Sequence, residues 1–172
     1  MRRQKTAKIG YIIISIVFYI AGLICILKPD AMEENGKCIA GIILIAYGVI
    51  KMIGYFSKDL YCLAFQCDFA CGLFLIVLGA ATCCIRNCKG SYLLASIGIL
   101  ILLDSLLAIQ TSLDAKRFGM ENWKCILIFS IAAAVTGVAI LIFKTMPITG
   151  CALLLEGGMR HYIVHCTVKT EI

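Results

Sequence analysis

Six long apolar stretches, at 9–27, 38–56, 63–85, 92–113, 125–143 and 148–164, decide the solvent in which this chain folds. A helix needs about 20 apolar residues to cross the hydrocarbon core of a bilayer. The six runs meet or approach that length and take up about 120 of the 172 residues. Strands of a membrane barrel would instead read as short segments of alternating polarity. The connectors are short and polar, as in Lys28-Pro29-Asp30 through Lys37 and Asp114 through Lys124, so none could fold as a soluble domain. Composition agrees, with 62% hydrophobic and 15% charged residues and a mean hydropathy of +0.98. Soluble domains run at about 45–50% apolar and about 25% charged. A soluble globule of this size has too little interior to hide that much apolar surface. These features exclude a soluble enzyme, a disordered chain and a secreted disulfide scaffold. The expectation is an all-α fold: an integral membrane six-helix bundle in contact with the lipid bilayer.

Orientation follows from the basic residues, which collect on the cytoplasmic side of membrane proteins. With the N-terminus inside, that side receives Arg2, Arg3, Lys5, Lys8, Lys51, Lys58, Lys116, Arg117, Lys124, Arg160 and Lys169. The outer side keeps Lys28, Lys37, Arg86, Lys89 and Lys144. The expected placement is a plasma (inner) membrane protein, multi-pass, with both termini cytoplasmic. Tyr55, Tyr61, Trp123 and Tyr162 then fall near the inner interface, where amphipathic rings prefer to lie. The net charge of +6 is accounted for by this bias and needs no nucleic acid. Met1-Arg-Arg-Gln-Lys followed by an apolar run has parts of a signal peptide, but no small-x-small cleavage site follows. It reads as an uncleaved first span.

The spans come in pairs that resemble one another. The first helix of each pair carries a late glycine (Gly22, Gly79, Gly137), and the second begins Gly41-to-Tyr47, Gly98-to-Asp104 or Gly150-to-Glu156. In the second helices, a side chain with a polar end always stands six residues after the glycine. The copies lie roughly fifty to sixty residues apart, long enough for one helical hairpin. One transmembrane domain, 1–172, is therefore expected from three repeated hairpins at about 8–57, 60–113 and 123–166. With this repeat, the proline after Gly22 at Pro29, Asp114-Ala-Lys-Arg-Phe-Gly119 leading to Trp123, and Gly150 through Gly157, the chain resembles the HdeD-like acid-resistance membrane proteins. Over essentially the whole chain, the resemblance implies an inner-membrane protein linked to acid stress, with no catalytic residues to carry over. Pro29 has no counterpart after Gly79, and the third copy's proline comes late, at Pro147.

Ionisable side chains within spans point to function, because each costs roughly 2.5 kcal/mol or more in hydrocarbon. Here they are Lys51, Asp68, Asp104, Glu156 and Arg160. Asp104 and Glu156 hold the repeat position filled by Tyr47 in the first copy. Lys51 and Arg160 match each other four residues further on, where the second copy has Ala108. Glu156 and Arg160 share a helix face at i, i+4. Two readings follow: acids and bases pair across the bundle and fix its register, or a buried carboxyl exchanges protons along a path for protons or small ions.

The eleven cysteines include Cys67-x3-Cys71 and Cys84-x3-Cys88, which would place thiols on one helix face. No CxxC pair occurs, and buried cysteine usually behaves as a small apolar residue. His161 and His165 stand at i, i+4 without a metalloprotease carboxylate. No phosphate loop, GxSxG or HExxH occurs either. The expectation is therefore no enzyme, no cofactor and no metal. The functional expectation is a non-enzymatic membrane protein contributing to acid-stress tolerance, with a small proton, ion or solute transporter or channel as the alternative.

Overall fold

A computed structural model of the chain describes residues 2–57, 68–84 and 90–167. These residues form six helices: α1 (Arg2–Leu27), α2 (Pro29–Ser57), α3 (Asp68–Cys84), α4 (Gly90–Arg117), α5 (Trp123–Phe143) and α6 (Met146–Thr167). The all-helical bundle expected from the apolar runs is what the chain forms. Four segments are long and apolar enough to cross a membrane: Lys8–Leu27, Cys38–Phe56, Tyr92–Arg117 and Trp123–Phe143. Asp68–Cys84 is a shorter apolar helix, and its expected start at 63 lies outside the described residues. α6 carries Glu156 and Arg160 within its length, which lowers its apolar character.

The polar stretch after Lys28 differs from the expected connector. Helix α2 begins at Pro29, so only Lys28 separates it from α1. Proline suits the first turn of a helix, where its fixed φ is already helical and its missing N–H has no intrahelical role. Likewise α4 runs to Arg117, and the chain then turns at Gly119 with φ of 72°. The turn is closed by the Met120 N–H donating to the Ala115 carbonyl at 3.0 Å. Lys144 ends α5 in the left-handed region, its N–H donating to the Ile140 carbonyl at 2.8 Å.

The most extensive interfaces are α2 with α3, α4 with α5, and α1 with α6. All three join the second helix of one expected hairpin to the first helix of another, with α6 closing back on α1. Glycine pairs explain why these helices approach so closely. Gly22 meets Gly150, Gly41 meets Gly79, and Gly98 meets Gly137. These are the six repeat glycines, and they pair between hairpins. A further pair, Gly48 with Gly72, extends the α2–α3 contact. A Cβ added at Gly48 would stand 2.6 Å from the Gly72 carbonyl oxygen, and one at Gly72 2.7 Å from that of Gly48. Small residues let helix backbones touch in lipid, where association depends on packing because burying apolar surface gains little.

Within the expected hairpins, α1 packs on α2 and α5 on α6 less extensively, while among the described residues α3 and α4 share no comparable interface. The outer surface is strongly apolar: Ile20, Val77, Val135 and Ile142 are all more than half exposed. The interior holds the charge, with Lys51, Asp68, Asp104, Glu156 and Arg160 all buried. Apolar outside and charged inside is the arrangement a bilayer selects.

Alanine at Gly48 should therefore force α2 and α3 apart. Overpacking of this kind costs about 1–3 kcal/mol, so Gly48→Ala should lower the thermal midpoint of the detergent-purified protein. At Gly158 the nearest atom to an added Cβ is the Tyr19 hydroxyl at 3.7 Å, and Gly158→Ala should leave the midpoint unchanged. Equal behaviour of the two variants would count against the glycine contacts.

Candidate functional site

The five intramembrane charges singled out in the sequence converge on one place. Lys51 comes from α2, Asp68 from α3, Asp104 from α4, and Glu156 and Arg160 from α6. Lys51 is the hub, its Nζ lying 3.0 Å from Asp68 Oδ1 and 2.9 Å from Asp104 Oδ1. The same ammonium stands over the Tyr47 ring, 5.1 Å from its centroid. Asp104 is also approached by Arg160, with Nη2 2.7 Å from Oδ2. That contact is an ion pair and does not count as a hydrogen bond. Arg160 Nε donates to Glu156 Oε1 at 3.1 Å, the i, i+4 contact expected from the spacing.

Two tyrosines complete the network. The Tyr47 hydroxyl donates to Asp104 Oδ2 at 2.5 Å, and the Tyr11 hydroxyl donates to Asp68 Oδ2. Tyr47 was recognisable as the first-copy equivalent of Asp104. Tyr11 was not singled out, although a signal existed. It precedes Asp68 by 57 residues, the interval separating Tyr47 from Asp104. Each hydrogen bond thus joins one position of the repeat to the same position of the next copy. The network ties α1, α2, α3, α4 and α6 together.

Several side-chain hydroxyls elsewhere in the core are used locally. Ser15, Ser105 and Ser130 each donate to the carbonyl four residues before them, a pattern that satisfies a buried hydroxyl without a partner helix. The charged network is therefore the polar centre of the described core.

Three carboxyls stand against two cations, and they are unequally supplied with donors. Asp104 accepts from Tyr47 and is ion-paired with Lys51 and Arg160, and Asp68 accepts from Tyr11 and Lys51. Glu156 receives Arg160 Nε alone, and its Oε2 has no hydrogen-bond partner among the described residues although the residue is 2% exposed.

A cavity of about 100 Å³ adjoins the network, and Tyr47, Asp104 and Glu156 form its floor. Its walls rise through Leu44, Leu75, Leu100 and Leu153 to Cys25, Ala40 and Met146 at the opposite end of the bundle. Apart from the floor and Thr149, whose hydroxyl donates to the Thr145 carbonyl, these walls are apolar.

The other motifs from the sequence stand apart from this centre. His161 and His165 are exposed. Cys71 lines the cavity, whereas Cys67, its partner in the expected spacing, lies outside the described residues, as does Cys88. The described cysteines, Cys25, Cys38, Cys71, Cys83, Cys84, Cys125, Cys151 and Cys166, are free thiols. Among the described residues no group of three or more His, Cys, Asp or Glu is placed to hold a metal ion.

An all-helical bundle with an apolar exterior and a buried ion network is a multi-pass membrane protein. A family model described as a short repeat of unknown function (DUF308) matches residues 13–84 and again residues 70–142. The chain belongs to this family. The second match starts 57 residues after the first, the interval that separates Tyr11 from Asp68 and Tyr47 from Asp104. No curated protein and no solved structure matches the chain.

Removing one member of a buried charge network strands its partners. Breaking a buried pair costs about 3–5 kcal/mol, so Lys51→Met should sharply reduce the yield and thermal midpoint of the folded protein. Adding Asp68→Asn to Lys51→Met removes one stranded carboxylate and should restore part of the loss. A Lys51→Met protein as stable as the parent would show that the network contributes nothing to the fold.

Proposed function

We propose that this chain is a non-enzymatic, six-span membrane protein of the HdeD-like type whose charged centre holds one proton inside the bilayer, in the service of acid-stress tolerance. In this reading it is built from three hairpins, lies in the plasma membrane and keeps both termini in the cytoplasm. The carrying observation is the imbalance of the buried network: three carboxyls, two cations, and a Glu156 oxygen without a donor. With every group ionised the cluster bears one net negative charge, which is expensive in hydrocarbon. One proton on Glu156, the carboxyl with an unpartnered oxygen, neutralises it.

The charged and titratable groups around Glu156 come from several helices. They are Tyr47 and Lys51 on α2, Asp104 on α4 and Arg160 on α6, and Cys71 on α3 lines the same cavity as Glu156. On α5 the buried Ser130 is engaged with the Ile126 carbonyl. The network thus serves two ends. It locks the helices in register, and its one surplus carboxyl gives it a proton to hold or release. The cavity above Glu156 supports the alternative reading of a small transporter, since it gives a solute somewhere to sit beside the charged centre.

Infrared spectroscopy of the protein in lipid tests the proton directly. A protonated-carboxyl band should be present near neutral pH and vanish in Glu156→Gln. In cells, loss of the gene should reduce survival at low pH, and the Glu156→Gln gene should fail to restore it at normal membrane abundance. Absence of the band, or full acid survival without the gene, would defeat the corresponding half of the proposal.

Thiol labelling tests the orientation. Cys38 and Cys84 are exposed near one end of the bundle and Cys125 near the other. An impermeant maleimide added to intact cells should modify single-cysteine proteins retaining Cys38 or Cys84. The protein retaining Cys125 should react only after permeabilisation, and the reverse pattern would invert the topology.

A further inference from the structure

The bundle is a ring with one seam. Among the described residues, contacts run from α3 to α2, α1, α6, α5 and α4, but no comparable interface joins α4 back to α3. The first and third hairpins close, and the middle one stands open. The cavity lies behind this seam. Phe74 on α3 and Leu103 on α4 both line it, and both are also exposed on the outer surface, at 48% and 44%. In a bilayer that outer surface faces lipid, so the opening leads sideways into the hydrocarbon.

At the inner end of this apolar path stands Glu156, with an oxygen that lacks a donor and a network that lacks one positive charge. We propose that the cavity is a binding site for a lipophilic primary amine in its ammonium form, which enters between α3 and α4 from the lipid and sets its cationic head against Glu156. The inference rests on the proton reading for the identity of the vacancy: the ammonium takes the place of the proton, so charge is conserved when one binds and the other leaves.

Size and polarity narrow the ligand. A dry cavity of about 150 Å³ accommodates benzene, so about 100 Å³ here admits a head group and a few carbons. A longer alkyl tail would extend through the seam into lipid. A carboxylate or phosphate head would add to the surplus negative charge. A zwitterionic lipid would have to carry its phosphate into the same apolar space. A neutral alcohol could donate to Glu156 but would leave the charge unbalanced. An ammonium meets both requirements, with three donors and one positive charge.

The test uses the full-length protein in phosphatidylcholine nanodiscs, which exclude the ammonium group of phosphatidylethanolamine. Binding of radiolabelled octylamine at neutral pH should saturate at one per protein, with octanol and octanoate competing at least tenfold more weakly. Glu156→Gln should abolish saturable binding. Because that variant also removes a partner of Arg160, a second one is needed. Leu103→Trp adds bulk at the lipid-facing seam and should weaken binding at least fivefold, with monodisperse elution confirming the fold. Adding phosphatidylethanolamine to the discs should leave octylamine affinity unchanged, and strong competition by it would make the lipid head group the ligand and overturn the proposal. Octanol competing as well as octylamine, or binding indifferent to Leu103→Trp, would also overturn it.

The two readings fail separately. A protonated-carboxyl band with no saturable amine binding would overturn the amine site and leave the proton reading standing. Amine binding that releases no proton into weakly buffered solution would retain the site and overturn the proton reading.

Discussion

A lysine ammonium in the interior of a bilayer protein must be matched, and the architecture of this bundle follows from how Lys51 is matched. It reaches Asp68 on one neighbouring helix and Asp104 on another, at 3.0 and 2.9 Å. These contacts fix the rotation of α2, α3 and α4 about their axes, because turning any one would expose a charge to lipid. Arg160 carries the constraint on to α6, and Tyr11 brings in α1. Hydrophobic burial cannot provide such a register here, since lipid tails are as apolar as the side chains they would replace. Close packing at the paired glycines sets how near the helices come, and the charges set which faces meet.

The charged residues were legible from sequence because a lone ion in an apolar run has few explanations. Their convergence was partly legible as well, through the matched positions of Tyr47, Asp104 and Glu156. The role of Tyr11 was hidden because tyrosine near a span end usually marks the interface, and only the interval of 57 residues distinguishes it. The glycines show the same division. Their recurrence could be read along the chain, but it suggested hairpins as packing units. The structure pairs them between hairpins instead, Gly22 with Gly150 and Gly41 with Gly79. Periodicity identifies equivalent positions but leaves open which copies touch. The open seam between α3 and α4 was not legible at all, since a missing contact leaves no mark on composition or spacing.

In the three-hairpin reading, repetition also explains why the charges are distributed as they are. A strictly threefold bundle would place three identical groups at its centre, and three like charges in hydrocarbon would repel. Divergence at the repeat positions resolves this. Tyrosine, aspartate and glutamate occupy one layer at Tyr47, Asp104 and Glu156. Lysine, alanine and arginine occupy the layer below at Lys51, Ala108 and Arg160. Acids in one layer then face bases in the next. The first helices diverge in the same way, with Tyr11 and Asp68 bonded to each other and Ile126 buried at the third position.

The same divergence accounts for the imbalance. In that three-hairpin reading, two copies supply a base to the lower layer, while the second supplies Ala108 instead. A lysine or arginine there would have matched the third carboxyl and closed the network on itself. With alanine, Glu156 is left to share Arg160 with Asp104. The vacancy is thus one cation in size and lies at the foot of an apolar cavity beside the open hairpin, which is the second copy as well. Loss of a base and loss of a helix contact in the same repeat leave the protein with a charge to satisfy and a route from the lipid to satisfy it.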